Sequence, residues 1–268
     1  MNDICRVLYE GQKHRGNDAF GVVAFDSGSY YVDKWIDEGS FLGSLEELKY
    51  SEMLIHTRFP TSTDNVIESA HPFIVERGDR RFYFIHNGII NNSLELKAKH
   101  DLLGVGYEYK SLDVKSGKFN DSEALAFEIV DWVVGGCVGE VSARGSVAMI
   151  MLEQSISSGR AVGLYFYRND MNPLTMLKTS GVFMLASEGL PDDVESGKMF
   201  RYDYASGDVS CVGELLIGGV YGYSSGWGVG GASYGYLKSE DNGVVSGPGW
   251  WEKSEYDDVE DNSSSSYC

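Results

Sequence analysis

A chain of 268 residues, 43% of them hydrophobic, is long enough for one large domain or two small ones with a sizeable core. Its formal net charge of −18 repels phosphate backbones and excludes a broad non-specific grip on nucleic acid. No run approaches the roughly 18 apolar residues of a membrane span, and Met1-Asn2-Asp3-Ile4 carries no basic or apolar leader, so a cytoplasmic protein with neither membrane nor nucleic-acid partners is expected.

The predicted elements begin with a helix that places Ile4, Val7 and Leu8 at helical spacing. Residues 19–25 and 30–35, rich in β-branched and aromatic types, flank Asp26-Ser27-Gly28-Ser29 and read as a hairpin. Strands are predicted over 53–58 and 81–86, and a helix over 94–98. The clearest helix carries Leu125, Ile129, Trp132 and Val133, with Asp121 or Ser122 as its N-cap. Four more strands are predicted over 145–152, 161–167, 182–186 and 199–204. Several are apolar throughout, the pattern of strands covered on both faces. Many strands and few helices predict a layered α+β domain over residues 1–220. Residues 104–119 read equally well as a lid or an exposed loop. A Gly/Ser/Tyr-rich tail, residues 221–268, turns acidic at its end and reads as disordered, although Trp250 and Trp251 suit docking on a partner.

Cys5, Cys137, Cys211 and Cys268 are scattered, and His14, His56, His71, His86 and His100 form no HExxH pattern, so neither a disulfide framework nor a protein-bound metal is indicated. Chemistry is sought instead in three loops. Arg58, where a strand gives way to Phe59-Pro60-Thr61-Ser62, can fork onto a carboxylate, although a structural ion pair explains such an arginine as well. Asn87-Gly88 at a strand end reads as a tight hairpin or as an oxyanion corner, in which a side-chain amide and a bare backbone N–H stabilise a developing negative oxygen. Asp121 can simply cap its helix. With Arg58 it also supplies the second charge needed to read both ends of a free amino acid.

His14-Arg15-Gly16-Asn17-Asp18-Ala19-Phe20-Gly21, His56-Thr57-Arg58, Ala70-His71-Pro72-Phe73, His86-Asn87-Gly88 and Asp121-Ser122-Glu123 occur in one order. Together, over roughly residues 3–212, they resemble the class II glutamine amidotransferases. The resemblance implies a four-layer αββα N-terminal nucleophile hydrolase sandwich with two antiparallel sheets, acting on L-glutamine without a cofactor. It implies Arg58 on the α-carboxylate, Asp121 on the α-ammonium, and Asn87 with Gly88 as the oxyanion hole. Thr61 and Ser62 would belong to the adjoining substrate loop, while His71 and Arg15 would support the pocket from behind. Phe59 stands where a tryptophan or tyrosine is common.

Family members open, after loss of the initiator methionine, on a nucleophilic cysteine at the head of a first strand, whereas Met1 is followed here by Asn2. Cys5 lies nine positions before His14. That spacing is too short for the strand, turn and helix that separate nucleophile and His-Arg-Gly segment, since a short strand takes about five residues and a helix commonly ten or more. Two readings follow. The sequence omits the first strand and its cysteine, and the protein is a glutaminase feeding a separate ammonia-accepting synthase subunit; or it is a catalytically inactive glutamine-binding or interaction module.

Overall fold

The computed structural model describes residues 2–26, 29–59 and 65–217, with side chains from residue 6 onward. The hairpin tip at Ser27 and Gly28, the predicted loop residues Thr61 and Ser62, and the tail over 221–268 lie outside the described residues.

In chain order, α1 (Asn2–Gln12) leads through a 3-10 turn (Lys13–Arg15) to β1 (Ala19–Asp26), β2 (Ser29–Trp35), α2 (Glu38–Glu47) and β3 (Glu52–Arg58). A second 3-10 turn (Ile67–Ser69) precedes β4 (Phe73–Arg77), β5 (Arg80–Ile90), α3 (Ser93–Leu103) and α4 (Asp121–Val134). The rest is strand: β6 (Gly145–Ser155), β7 (Ala161–Arg168), β8 (Thr175–Lys178), β9 (Phe183–Ala186), β10 (Asp192–Asp193), β11 (Lys198–Asp203) and β12 (Val209–Glu214). Strand pairing is antiparallel in three sheets, ordered β2-β1-β3, β10-β8-β9 and β12-β11-β7-β6-β5-β4.

Three apolar cores separate four layers, and the two-residue period of the strands builds them. On β1, Phe20, Val22 and Ala24 face outward against Tyr9 of α1 and Phe41 and Leu45 of α2. Val23 and Phe25 face inward, where they join Tyr83, Ile85, Ala148, Ile150 and Leu152 of the six-stranded sheet. Leu174 and Val194, beside the small sheet, share that inner core, so both three-stranded sheets belong to one layer. On the far side Phe82, Phe84, Val147, Met149 and Met151 pack against Leu125, Ile129 and Val133 of α4 and Leu96 of α3. The expectation of strands buried on both faces holds because β1, β5 and β6 each serve two cores at once.

Three expectations need correcting or sharpening. The cap of α4 is Asn120, neither Asp121 nor Ser122: its side-chain oxygen accepts from Ser122 N at 2.9 Å, while its amide nitrogen donates to Ser69 O at 2.9 Å. Asn120 occupies the extended conformation a cap requires, which leaves Asp121 as the first helical residue, free of capping. Asn120→Ala should therefore destabilise the fold by about 1–2 kcal/mol, measurable as a lower urea midpoint at unchanged slope.

Asn87-Gly88 is not at a strand end, because β5 runs on to Ile90 and pairs Asn87 with Ala148 and Gly88 with Val147. The stretch 104–119, read as lid or exposed loop, is held down. Arg77 donates to Gly106 O at 3.0 Å and Tyr107 to Asp131 at 2.6 Å. Tyr109 meets His100 Nδ1 at 2.7 Å, and Lys110 N and Ser111 N donate to Glu123 at 2.8 and 3.0 Å. Glu123, the last residue of the Asp-Ser-Glu motif, thus organises this loop, whose Tyr109 and Phe119 enter the core.

Candidate functional site

One cavity of about 70 Å³ gathers residues from all five motifs: Arg15, His56 and Arg58, His71, His86 with Asn87 and Gly88, and Asp121 with Ser122. Three local features converge on it. The end of β3 delivers Arg58, buried, beside the extended backbone of Gly16, where a Cβ would meet Arg58 C at 2.7 Å and Phe59 N at 2.8 Å. The His-Arg-Gly segment can lie against β3 only without a side chain there. From the six-stranded sheet, β5 presents Asn87 and Gly88. Gly88 sits at φ +148°, and a Cβ on it would collide with Ser146 O and His86 Nε2. The first turn of α4 contributes Asp121, whose Oδ2 accepts from Ile90 N at 2.6 Å and is thereby fixed to β5.

The site carries both signs of charge. Burial draws the Arg58 guanidinium below its usual value, and the negative charges of Asp121 and Asp18 oppose that pull. The Asn87 Nδ2 amide is out of solvent and has no hydrogen-bond partner, while the Asn87 carbonyl is held by Asn172 Nδ2 at 2.5 Å. A buried donor without an acceptor is costly, by about 1–3 kcal/mol, and such sites in folded proteins repay explanation by a ligand.

Behind the charged groups lie three imidazoles, His71 and His86 buried and His56 partly so. His56 Nε2 donates to His86 O at 3.2 Å, and its ring lies 4.0 Å from that of His71. Burial pushes His56 down to about 3 and His71 well below its usual value, so both are neutral. His71 precedes Pro72 through a cis peptide, and Lys34 Nζ fixes the segment by donating to Ala70 O at 2.6 Å. Burial pushes that lysine down to about 8 against the pull of Glu123 and Glu68.

Of the residues expected at the site, Arg58, Asn87, Gly88, Asp121, Arg15 and His71 all border this cavity. Arg15 also bonds Glu188 Oε2 at 3.3 Å, joined by His14 at 2.8 Å to the other oxygen. Phe59 borders it too, yet is 66% exposed, a rim and not a wall. Sequence reasoning missed His86 and Ser122 as lining residues, and Lys34 as the group that ties down the His71 segment. His86 and Ser122 sat inside motifs already singled out; Lys34, the one cation of the β1–β2 hairpin, lay outside every motif. Among the described residues no group of three or more His, Cys, Asp and Glu side chains could hold a metal ion, and no helix is long and apolar enough to cross a membrane.

No protein-family model matches the chain. It is 26% identical over 219 residues to the amidophosphoribosyltransferase of Synechococcus elongatus, covering 77% of this chain and 42% of that protein. It is 33% identical over 122 residues to a glutamine–fructose-6-phosphate aminotransferase of Aquifex aeolicus, covering 44% of this chain and 18% of the relative. The chain therefore spans less than half the length of these curated relatives. Among solved structures, the glutamine phosphoribosylpyrophosphate amidotransferase of B. subtilis superposes with a TM-score of 0.58 at 18% identity, over 78% of this chain and 46% of the other. That likeness carries the fold: antiparallel sheets layered between helices, as in N-terminal nucleophile hydrolases. The chain is a homologue of the class II glutamine amidotransferase domains.

Proposed function

We propose that the cavity binds L-glutamine and that the protein is the glutaminase half of a glutamine amidotransferase. The observation that carries this reading is the meeting of Arg58, Asp121 and the unpartnered Asn87 amide at one cavity. Arg58 takes the α-carboxylate as a forked, charge-assisted pair, and Asp121 takes the α-ammonium. The side-chain amide then lies toward β5, where Asn87 Nδ2 and the Gly88 N–H await the oxygen of a tetrahedral intermediate. A thiolate attacks the amide carbon, the intermediate collapses to a thioester with loss of ammonia, and water cleaves the thioester to glutamate and the thiol. The attacking amine-activated thiol is the one part the described cavity does not supply. Cys137 follows α4 and Cys211 lies on β12, and neither lines the cavity. On its outer side β3, the strand ending in Arg58, has no partner strand among the described residues. A thiol on a strand paired to that edge would stand beside Arg58.

The absence of a lining thiol among the described residues also favours a second reading, a module that holds glutamine without cleaving it. Intact mass and N-terminal sequence of the protein from its native source, with ammonia release from L-glutamine, separate the two. A native terminus at a cysteine, with glutamine-dependent ammonia release, is expected. A terminus at Met1 or Asn2 with no release would leave the binding module. For the glutaminase, ammonia passes to a separate synthase subunit, and a native pull-down under mild conditions should recover one; recovery of the chain alone would count against it.

A further inference from the structure

His86, on β5, bonds three other elements and fixes the orientation of one hydroxyl. Its Nε2 lies 3.1 Å from Ser146 O, and because a carbonyl only accepts, Nε2 carries the proton. Its own carbonyl accepts from His56 Nε2 on β3. Its Nδ1 lies 2.9 Å from Ser122 Oγ in the first turn of α4. The ring is buried beside Asp121, His56 and His71, with Arg58 lining the same cavity, and the cost of burial outweighs the pull of the Asp121 carboxylate, so it is neutral at neutral pH. A neutral ring protonated on Nε2 offers only a lone pair at Nδ1, so the Ser122 hydroxyl must donate to it.

With its one proton committed to His86, Ser122 Oγ presents only lone pairs to the cavity it lines beside Asp121. We infer that Ser122 Oγ is a second acceptor for the α-ammonium of the ligand, and that His86 is the positioning residue that makes it one. The inference rests on the amino-acid reading of the site and sharpens it. Asp121 already spends Oδ2 on Ile90 N, so an ammonium with three N–H donors needs acceptors besides that carboxylate.

The test compares two ligands by calorimetry: L-glutamine and glutaramate, the same molecule without its α-amino group. In Ser122→Ala the affinity for L-glutamine should fall by about 10- to 100-fold, the worth of one hydrogen bond to a charged group, while glutaramate should be held as by the wild type. Ser122→Thr, which keeps the hydroxyl, should recover most of the loss. Ring ¹⁵N spectra of the full chain at neutral pH should show His86 protonated at Nε2 and bare at Nδ1. Equal losses for both ligands, no loss for either, or a protonated Nδ1 would overturn the inference while leaving the glutamine site standing. A wild-type chain that binds no L-glutamine would instead overturn the reading of the site, and this inference with it.

Discussion

Arg58→Ala is expected to abolish binding of L-glutamine at concentrations that saturate the wild type. The guanidinium is buried at the end of β3 and faces the same cavity as Asp121, so its removal takes away the only arginine placed to fork onto the ligand carboxylate from that strand. Hydrogen bonds to charged groups contribute roughly 1.5–3 kcal/mol each, so loss of a forked pair should raise the dissociation constant by about 100-fold or more. Arg58→Lys should fall between, since an ammonium is a point charge that cannot reproduce the planar fork. Folding should survive, because Asp121 remains tied to Ile90 N and the three cores are untouched. Unchanged affinity in Arg58→Ala, with an unaltered melting curve, would show that the carboxylate lies elsewhere.

Gly88→Ala should do comparable damage from the opposite wall. At φ +148° an L side chain is strained, at a cost of about 1–3 kcal/mol. Its Cβ would also drive between Ser146 O and His86 Nε2, which are bonded to each other. Breaking that bond releases His86, and with it Ser122 and the orientation of Asn87. We expect a lower thermal midpoint and loss of glutamine binding together. Gly181→Ala is the control: nothing lies within 4 Å of a Cβ there, and neither quantity should change. A Gly88→Ala protein that binds and melts like the wild type would contradict the placement of β5 against β6 at this point.

How much of this was legible in the sequence depended on which physical rule set each residue. The long strands were readable because Phe20 to Phe25 and Val147 to Leu152 are short runs with β-branched residues, apolar on both faces, as strands between two cores are. Helix α2 escaped because Gly39 and Gly43 dilute its helical character and only Phe41 and Leu45 are fully buried. What starts it is Asp37, whose side chain accepts from Ser40 N at 2.8 Å, a cap with little behind it to notice. The short strands β4, β8 and β12 each pair with the strand beside them in the chain, but five, four and six residues carry too little alternation to stand out from their turns.

At the site, charge and motif order pointed to Arg58 and Asp121, and the Asn-Gly pair, weighed as an oxyanion corner against a hairpin, borders the same cavity. That it lies within a continuous strand was not legible, since Asn-Gly ordinarily marks a turn. The roles of His86 and Lys34 depend on carbonyls of Ser146 and Ala70, supplied by other elements. Such bonds leave no trace in spacing. Ser122 is the instructive case: its residue type fits a helix cap, and its function follows only once Asn120 is seen to hold that post.

The central claim is that this cavity reads the two charged ends and the amide of L-glutamine, and a crystal structure of the chain grown with saturating L-glutamine tests it most directly. The account predicts the α-carboxylate on Arg58, the α-ammonium between Asp121 and Ser122, and the amide oxygen within hydrogen-bond distance of Asn87 Nδ2 and Gly88 N. Glutamine bound with its amide turned away from β5, or a cavity left empty at saturation, would contradict it.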